Sequence, residues 1–370
     1  MDARLAVSGP GVAGATRGIL VGGHIVAVGL GNVGSHTVPL LARVRGVERL
    51  TLVDPGRFEE SNLESQAIGR SAIGRAKVEA VAERVHEIEP SIRVETHATA
   101  VEDVPLGRLR SDLVVSAPDS RRARVAVNRA VCRLGVPWID AGVDGGSGLA
   151  RVTTWRPSER GACCQCVFGP SDYTAMAQEY ACAGRAGGGM PSGASAGLGS
   201  LAASMQALAA SRYLAGEALE SGVQTVLALS PACVSTTRIR RNPGCRFGHE
   251  SWSIEGLAEG PDELTIRDAI GLGSGADAVS VAGQRFHHSL TCVVCGSKRR
   301  VMQVSRRMRV DPRPCSCGGR LAPTGAHTTD SFGPADFEGS TLSARLSRLG
   351  VLAGDVLTIG DRHFELGGLT

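Results

Sequence analysis

Aromatic residues are scarce, at 4% of the 370-residue chain, so any core must be built mainly from Val, Leu, Ile and Ala. Charge of one sign is lacking too. The formal net charge is +4 with both signs interspersed, too weak a bias to point to nucleic acid. There is no long apolar run. The longest uncharged stretch, between Arg185 and Arg212, is rich in Gly, Ala and Ser, which fits a buried helix better than a membrane span. No apolar export signal opens the chain, since Asp2 and Arg4 precede a Gly/Ala-rich stretch, and a cytoplasmic location is expected. In that setting eleven cysteines point to metal or catalysis rather than to disulfides.

What is present is an alternation of short apolar runs and helical patterns. Strands are predicted at His24 to Val28, Leu50 to Asp54, Ile92 to His97, Leu113 to Ser116 and Pro137 to Gly142. Helices are predicted from Gly34 to about Arg45, Ala76 to Ile88, Arg121 to Leu134 and Ser195 to Ala215, with further strands at Thr225 to Leu229 and Cys233 to Arg240. This order implies an α/β fold: a doubly wound, Rossmann-like, mostly parallel sheet. The composition shifts after Glu250. The expected organisation is an N-terminal segment (1–22), a nucleotide-binding domain (23–255), a linker with a small cysteine-rich domain (256–330) and a C-terminal appendage (331–370). In the last, a helix is expected over Ser340 to Leu349 and a strand over Val356 to Ile359.

Gly29-Leu30-Gly31-Asn32-Val33-Gly34 follows the first strand and opens the first helix. Glycines there let the backbone approach a phosphate, and the helix N-terminus favours its charge. Asp54, at the end of the next strand, is placed to accept ribose hydroxyls. These residues suit a dinucleotide as well as ATP.

Further residues separate the two. Ser61-Asn62-Leu63 and Gln66 follow Asp54; Gly74-Arg75-Ala76-Lys77 opens a helix; Asp119 follows the fourth strand, with Arg124 and Asn128 behind it; and Cys163-Cys164-Gln165-Cys166 comes later. In this order and spacing the chain resembles the ubiquitin-activating-like superfamily of ThiF, MoeB and HesA over about residues 24–250. The resemblance implies an ATP-dependent adenylyltransferase that joins AMP to the C-terminal carboxylate of a small ubiquitin-like or sulfur-carrier protein ending in Gly-Gly. It implies ATP and Mg²⁺ as cofactors and a homodimer. Gly29, Gly31 and Gly34 would line the phosphates and Asp54 the ribose. Asn62 and Lys77 would reach the phosphates, and Asp119 would hold Mg²⁺. Cys182 matches a cysteine that in some relatives joins the carrier covalently; a small buried filler is the plainer reading. Lys77 also reads as a solvated helix residue, Asp119 as a helix N-cap, and Arg124 as a fold-supporting partner of a carboxylate. The chain departs from the family pattern at Asn32 (usually Gly), Gly56 (usually Asp) and Ser65 (usually Arg).

The same resemblance implies a zinc site. Cys163 and Cys166 match the family's first pair, and Arg241-Asn242-Pro243-Gly244-Cys245 leads to its second. Gly248 replaces the last cysteine and His249 follows, so the expected ligands are Cys163, Cys166, Cys245 and His249. Independently, Cys292-x-x-Cys295-Gly296 and Cys315-x-Cys317-Gly318 read as the two knuckles of a Zn²⁺ ribbon that docks a protein. Cys132 and Cys233 are expected in the core. His287 and His288 are expected on the surface, and the basic stretch Lys298, Arg299, Arg300, Arg306, Arg307, Arg309 as a solvated hairpin.

Three other functions compete with activation of a carrier protein. A nicotinamide-dependent oxidoreductase would use the same glycines and Asp54 but leave Lys77, Asp119 and the cysteines idle. A non-catalytic adaptor would keep the fold and hold a partner on the ribbon. An adenylating enzyme acting on a tRNA base or a peptide would keep the chemistry and change the acceptor.

Overall fold

The computed structural model describes residues 23–182, 194–273, 278–310, 314–323, 328–337, 339 and 341–367; the segment 1–22 and the end of the Gly367-Gly368 pair lie outside them. The first sheet contains eight strands: β1 (Gly23–Val28), β2 (Val47–Val53), β3 (Arg93–His97), β4 (Leu113–Ser116), β5 (Trp138–Asp144), β6 (Leu149–Trp155), β7 (Val223–Leu229) and β8 (Ala232–Arg238). They are ordered β3-β2-β1-β4-β5-β6-β7-β8. The first five pair in parallel, while β5 to β8 pair antiparallel. The inner parallel strands β1, β2 and β4 are largely apolar because helices cover both faces, whereas the edge strand β3 is mostly polar. Ile25, Val26, Leu50, Leu52, Leu113 and Ile139 are fully or almost fully buried.

Five helices flank this sheet: α1 (Gly34–Leu41), α2 (Lys77–Ile88), α3 (Arg121–Leu134), α4 (Pro170–Cys182) and α5 (Ala196–Leu214). Residues of α1, α2 and α5 share one apolar cluster with one face of the sheet, and those of α3 share another with the opposite face. The chain therefore winds to both sides, and the order reverses between β1 and β4. Beyond the carboxyl ends of the strands, such a switch point is where open α/β sheets bind ligands.

Several expectations are corrected. The first helix ends at Leu41 rather than near Arg45; it contains Pro39, whose ring removes a backbone donor, and beyond it the bonds tighten, with the Arg43 N–H donating to the Leu40 carbonyl and the Val44 N–H to the Leu41 carbonyl. The strand β6 and the helix α4 were not foreseen. Cys132 is buried, but Cys233 is exposed, because no described element packs over β8, which is exposed along its whole length.

A second sheet is built from β9 (Ile254–Gly256), β10 (Val279–Val281), β15 (Ser331–Phe332), β16 (Val356–Ile359) and β17 (Arg362–Glu365), and a third from β11 (Phe286–Cys292), β12 (Lys298–Val304), β13 (Leu321–Pro323) and β14 (Thr328–Thr329). The C-terminal strands β16 and β17 sit inside the second sheet, between β10 and β9, so residues 331–367 share a core with residues from 266 onward. The helix expected over Ser340 to Leu349 is instead two single 3-10 turns, Thr341–Ser343 and Leu346–Leu349. Arg306, expected in solvent, is buried and ion-paired with the buried Asp355. His287 is also buried, with Nε2 3.2 Å from Ser305 Oγ.

The later sheets contact the nucleotide-binding half directly. Arg110 pairs with Glu365 at 2.6 Å, Gln284 donates to the Glu102 carbonyl at 2.7 Å, and Trp252 stacks on His363 with ring centres 3.9 Å apart. No described helix is long and apolar enough to cross a membrane.

Candidate functional site

The glycine turn lies between β1 and α1, beside the end of β4. Gly29 has φ +85°, and a β-carbon on it would meet the Ala117 backbone at 2.9 Å. One on Gly34 would sit 1.8 Å from the Gly29 carbonyl oxygen. Both glycines are thus demanded by packing. Gly31 is different: among the described residues, nothing lies within 4 Å of where its β-carbon would be, so no described side chain bars a ligand from it.

Asp54 sits beneath this turn, 8% exposed. Its Oδ2 accepts the Leu30 N–H at 2.7 Å, and its Oδ1 accepts the Gly56 N–H, also at 2.7 Å. The carboxylate is therefore rigidly aimed, with one further lone pair on each oxygen. Gly56 provides the room: a β-carbon there would lie 3.0 Å from Asp54 Oδ1 and 3.2 Å from Lys77 Cε. Asp54 and Lys77 thus flank one glycine.

Lys77 opens α2, half-buried, with its ammonium 5.6 Å from the centre of the Phe58 ring. It makes no ion pair among the described residues, so its charge is unspent. Lysine occurs in this chain only at 77 and 298; every other strong base is Arg. Asn62 lies in a 3-10 turn at Glu60–Glu64, where its Oδ1 accepts the Glu59 N–H at 3.0 Å. Its Nδ2 remains available.

Asp119 is exposed just beyond β4. It is not the N-cap of α3. Ser120 takes that role, accepting the Ala123 N–H at 3.1 Å. The Asp119 carboxylate makes no ion pair among the described residues. Arg124 pairs with Asp140 at 3.2 Å, as a fold-supporting residue would.

Asn32 was read from the sequence only as a departure. In the structure its Nδ2 donates to the carbonyls of Ser65 (2.9 Å), Ala194 (3.0 Å) and Ser195 (3.3 Å). It ties the glycine turn to the segment after Asn62 and to the start of α5. Ser35 Oγ adds a bond from the Ala67 N–H at 3.0 Å. Two buried polar atoms beside this segment, His36 Nε2 and Gln66 Oε1, have no hydrogen-bond partner among the described residues. Burial holds the His36 imidazole below its usual pKa. A cleft of about 450 Å³ lies behind the same segment, lined by Ser35, Phe58, Gln66 and Ile68 among others. Its charged rim is already paired, Arg75 with Glu83 and Arg84 with Glu87, and it lies away from the glycine turn.

Cys182 is the last residue of α4; its side chain lies outside the described residues.

Both cysteine clusters are assembled. Cys163, Cys166, Cys245 and His249 bring their ligand atoms within 4.8 Å of one another. Cys163 Sγ lies 3.9 Å from Cys245 Sγ, 4.0 Å from Cys166 Sγ and 3.5 Å from His249 Nε2; Cys166 Sγ lies 3.6 Å from His249 Nε2. A tetrahedron with Zn–S of about 2.3 Å and Zn–N of about 2.0–2.1 Å has S–S edges of about 3.8 Å and S–N edges of about 3.5 Å. The donor set therefore fits zinc in size and in chemistry. His249 is the one non-glycine with positive φ among the described residues, at 65°, and it is 2% exposed. Such strain persists where the surroundings demand a fixed ring. Burial pushes the Cys163 and Cys245 thiols up and the His249 imidazole down.

In the second cluster Cys292 and Cys317 are 3.5 Å apart and Cys295 and Cys315 3.7 Å. The amides of Val294 and Cys295 point at Cys292 Sγ, at 3.4 and 3.5 Å. The Cys315 thiol is held down to about 6, chiefly by the backbone N–H at Cys317 and by the Ser297 hydroxyl. This set also fits zinc.

Comparison with known proteins agrees with this geometry. The model of the ThiF family matches residues 15–247. Curated relatives include ubiquitin-like modifier-activating enzyme 5 of Culex quinquefasciatus, 31% identical over 157 residues, and that of Xenopus laevis, 30% identical over the same length. The matched region is 39% of this chain and 39% of each relative. Among solved structures, E. coli MccB with succinimide superposes with a TM-score of 0.51 at 20% identity, over 61% of this chain and 67% of that one. The Microcin C7 biosynthetic enzyme MccB in complex with N-formylated MccA gives the same score, identity and coverage. These likenesses establish a shared fold. With the family match spanning the glycine turn, Asp54, Lys77, Asp119 and the first cysteine pair, the chain belongs to the ThiF family.

Proposed function

We propose that this protein is an adenylyltransferase that uses ATP and Mg²⁺ to activate a carboxylate at the C-terminus of a small ubiquitin-like or sulfur-carrier protein. One observation carries the reading. Asp54 and Lys77 are held on either side of Gly56, beside a glycine turn at whose Gly31 no described side chain bars a ligand. A carboxylate for ribose and an unpaired ammonium for phosphate thus stand together at the switch point. The names of the curated relatives support a protein acceptor.

The chemistry asks little of acid–base catalysis. A terminal carboxyl group has a pKa of about 3.5 and is already ionised at neutral pH. The obstacle is bringing that anion to the α-phosphate of a polyanion. Lys77, the Asn62 amide and the backbone at Gly31 stabilise and orient the triphosphate. Asp119 would hold Mg²⁺, which supplies positive charge at the oxygens. The carboxylate oxygen attacks the α-phosphorus, the bond to the bridging oxygen breaks, and pyrophosphate leaves.

Both cysteine clusters would hold structural Zn²⁺. The first joins the 163–166 turn to the 245–249 turn, and the second closes the β11–β12 hairpin onto residues 315–317. Neither leaves an open position for substrate.

The test is calorimetry with ATP and Mg²⁺, followed by carrier-dependent pyrophosphate exchange. A folded, zinc-loaded preparation that binds NAD and ignores ATP would overturn the proposal. ATP binding without exchange in the presence of Gly-Gly-ending carriers would favour the adaptor, which the absent arginine at Ser65 keeps in view.

A further inference from the structure

Beyond α3 the sheet carries a charge cluster that the proposed reaction does not yet use. Asp140 on β5 has a side chain only 3% exposed. It accepts the Ser116 hydroxyl at 2.8 Å, and Ser116 Oγ in turn accepts Trp138 Nε1–H at 2.8 Å. Two guanidinium groups converge on this one carboxylate. Arg124 Nε lies 3.2 Å from Oδ2 and 3.4 Å from Oδ1, and Arg151 Nη1 lies 3.3 Å from Oδ2. Their side chains are 17% and 34% exposed. Neither has another ion partner among the described residues. The cluster therefore carries one positive charge in excess.

The excess has a direction. A β-carbon on Gly142 would lie 3.2 Å from Arg124 Nη2, 3.2 Å from Arg151 Nη2 and 3.3 Å from Arg151 Nε. Three guanidinium nitrogens that make no bond to Asp140, Arg124 Nη2 and Arg151 Nη2 and Nε, thus lie close beside a residue without a side chain. Ser116, the last residue of β4, pairs with Asp140. Gly142, two residues further along β5, therefore lies beyond the end of β4, level with the loop that carries Asp119. The nucleotide groups Asp54, Asn62 and Lys77 belong to the β1–β2 side of the switch point. The two arginines belong to its β4–β5 side.

Planar guanidinium forks match carboxylates with paired hydrogen bonds, and partial burial strengthens the match. One buried Asp and two Arg become neutral when a second carboxylate arrives. We infer that Arg124 and Arg151 form a fork beside Gly142 that takes a carboxylate of the acyl substrate, either its terminus or an acidic side chain close to it. The inference rests on the adenylation reading and adds a substrate-recognising subsite to it.

The test uses labelled short peptides ending in Gly-Gly, titrated into the zinc-loaded full chain with ATP and Mg²⁺. One peptide has a free C-terminal acid and an upstream Glu; a second has Gln for that Glu; a third has a C-terminal amide. Removing the carboxylate that the fork takes weakens binding about tenfold, the range of a charge-assisted hydrogen bond, and which peptide suffers identifies the source. Arg151→Gln erases that difference and leaves ATP affinity unchanged, while Arg151→Lys restores part of it. Gly142→Asp brings an internal carboxylate among the guanidinium groups, which must give way to its β-carbon at 3.2 Å, and erases the difference with both arginines still in the chain. Equal discrimination in Arg151→Gln and Gly142→Asp, or none in the wild type, overturns the inference. So does a parallel fall in ATP affinity, which would assign the fork to the nucleotide. Intact peptide discrimination in a wild type that ignores ATP would sink the adenylation reading alone.

Discussion

Asn32 Oδ1 fills the space where a side chain on Gly199 would begin. A β-carbon at Gly199 would lie 1.9 Å from that oxygen and 2.8 Å from the Asn32 carbonyl oxygen. The glycine turn and α5 therefore fit only because residue 199 has no side chain, while the Asn32 amide binds Ser65, Ala194 and Ser195. A glycine inside a helix normally costs about 0.5–1 kcal/mol relative to Ala, so Gly199→Ala would stabilise an unconstrained helix. Here the opposite is expected, a loss of about 1–3 kcal/mol from overpacking. It is read as a lower denaturant midpoint at unchanged slope. Adding Asn32→Gly recovers only part of the loss, because the carbonyl contact stays.

Lys77→Ala and Asp119→Ala are expected to reduce pyrophosphate exchange by about 10²–10³-fold, the scale of removing one preorganised electrostatic group. Neither side chain makes an ion pair among the described residues, so thermal midpoints stay close to wild type. Asp54→Ala differs, because it also frees the Leu30 and Gly56 N–H groups. It lowers both nucleotide affinity and stability. Wild-type exchange in Lys77→Ala would remove the ammonium from the mechanism.

Zinc analysis of the purified chain is expected to give two ions, one per cluster. Cys163→Ser and Cys292→Ser each remove one. Chelation lowers stability, since a site that forms only in the folded chain contributes its binding energy to folding. The first cluster binds zinc more weakly as pH falls, because burial keeps the Cys163 and Cys245 thiols protonated and the metal must displace those protons. A wild-type metal content in Cys163→Ser would remove that cysteine from the ligand set.

Burial lowers the pKa of His24, His36 and His97 below the ordinary 6.5. The unfolded chain therefore takes up protons first on acidification. The stability contributed by these neutral imidazoles is complete above pH 6.5 and is lost as pH falls below it, through the folded values. Melting temperatures at pH 7.5 and 5.5 should differ in that direction. His24→Gln, which can keep a bond to Thr51 Oγ1 (2.9 Å from His24 Nε2), should shrink the difference.

Asp355→Ala is expected to destabilise by about 3–5 kcal/mol, because it leaves the Arg306 charge buried and unpaired. Arg306 also donates to the carbonyls of Asp103 and Gly350, at 3.3 Å each, so the damage reaches the contact between the later sheets and the first. Loss of two-state unfolding in this variant would show the same coupling.

Local pattern was enough for the parallel half of the molecule. Leu113-Val114-Val115-Ser116 could only be a short buried strand, and the period of Val78, Val81 and Val85 marked one face of α2. It was not enough where partners lie far away in the chain. Strand β6, Leu-Ala-Arg-Val-Thr-Thr-Trp, mixes polar and apolar residues because β5 and β7 flank it and its Arg151 pairs with Asp140 of β5. The leucines at 342, 346 and 349 have helical spacing, yet the chain there makes separate 3-10 turns whose bonds run to Pro261 and Leu264. Cys233 reads like core from its neighbours, but no described element covers β8.

The amino-acid sequence by itself determined the strand–glycine turn–helix unit, the carboxylate twenty residues beyond it and the sets of cysteines, because each is specified by short spacings and by the chemistry of its own side chains. Tertiary structure alone decided that Asn32 clamps three separate segments, that His249 takes its expected place among the cysteines in a strained conformation, and that two arginines share Asp140 beside Gly142. Those relationships join residues tens to more than a hundred positions apart, and only the packing of whole sheets and helices brings such residues within hydrogen-bonding distance.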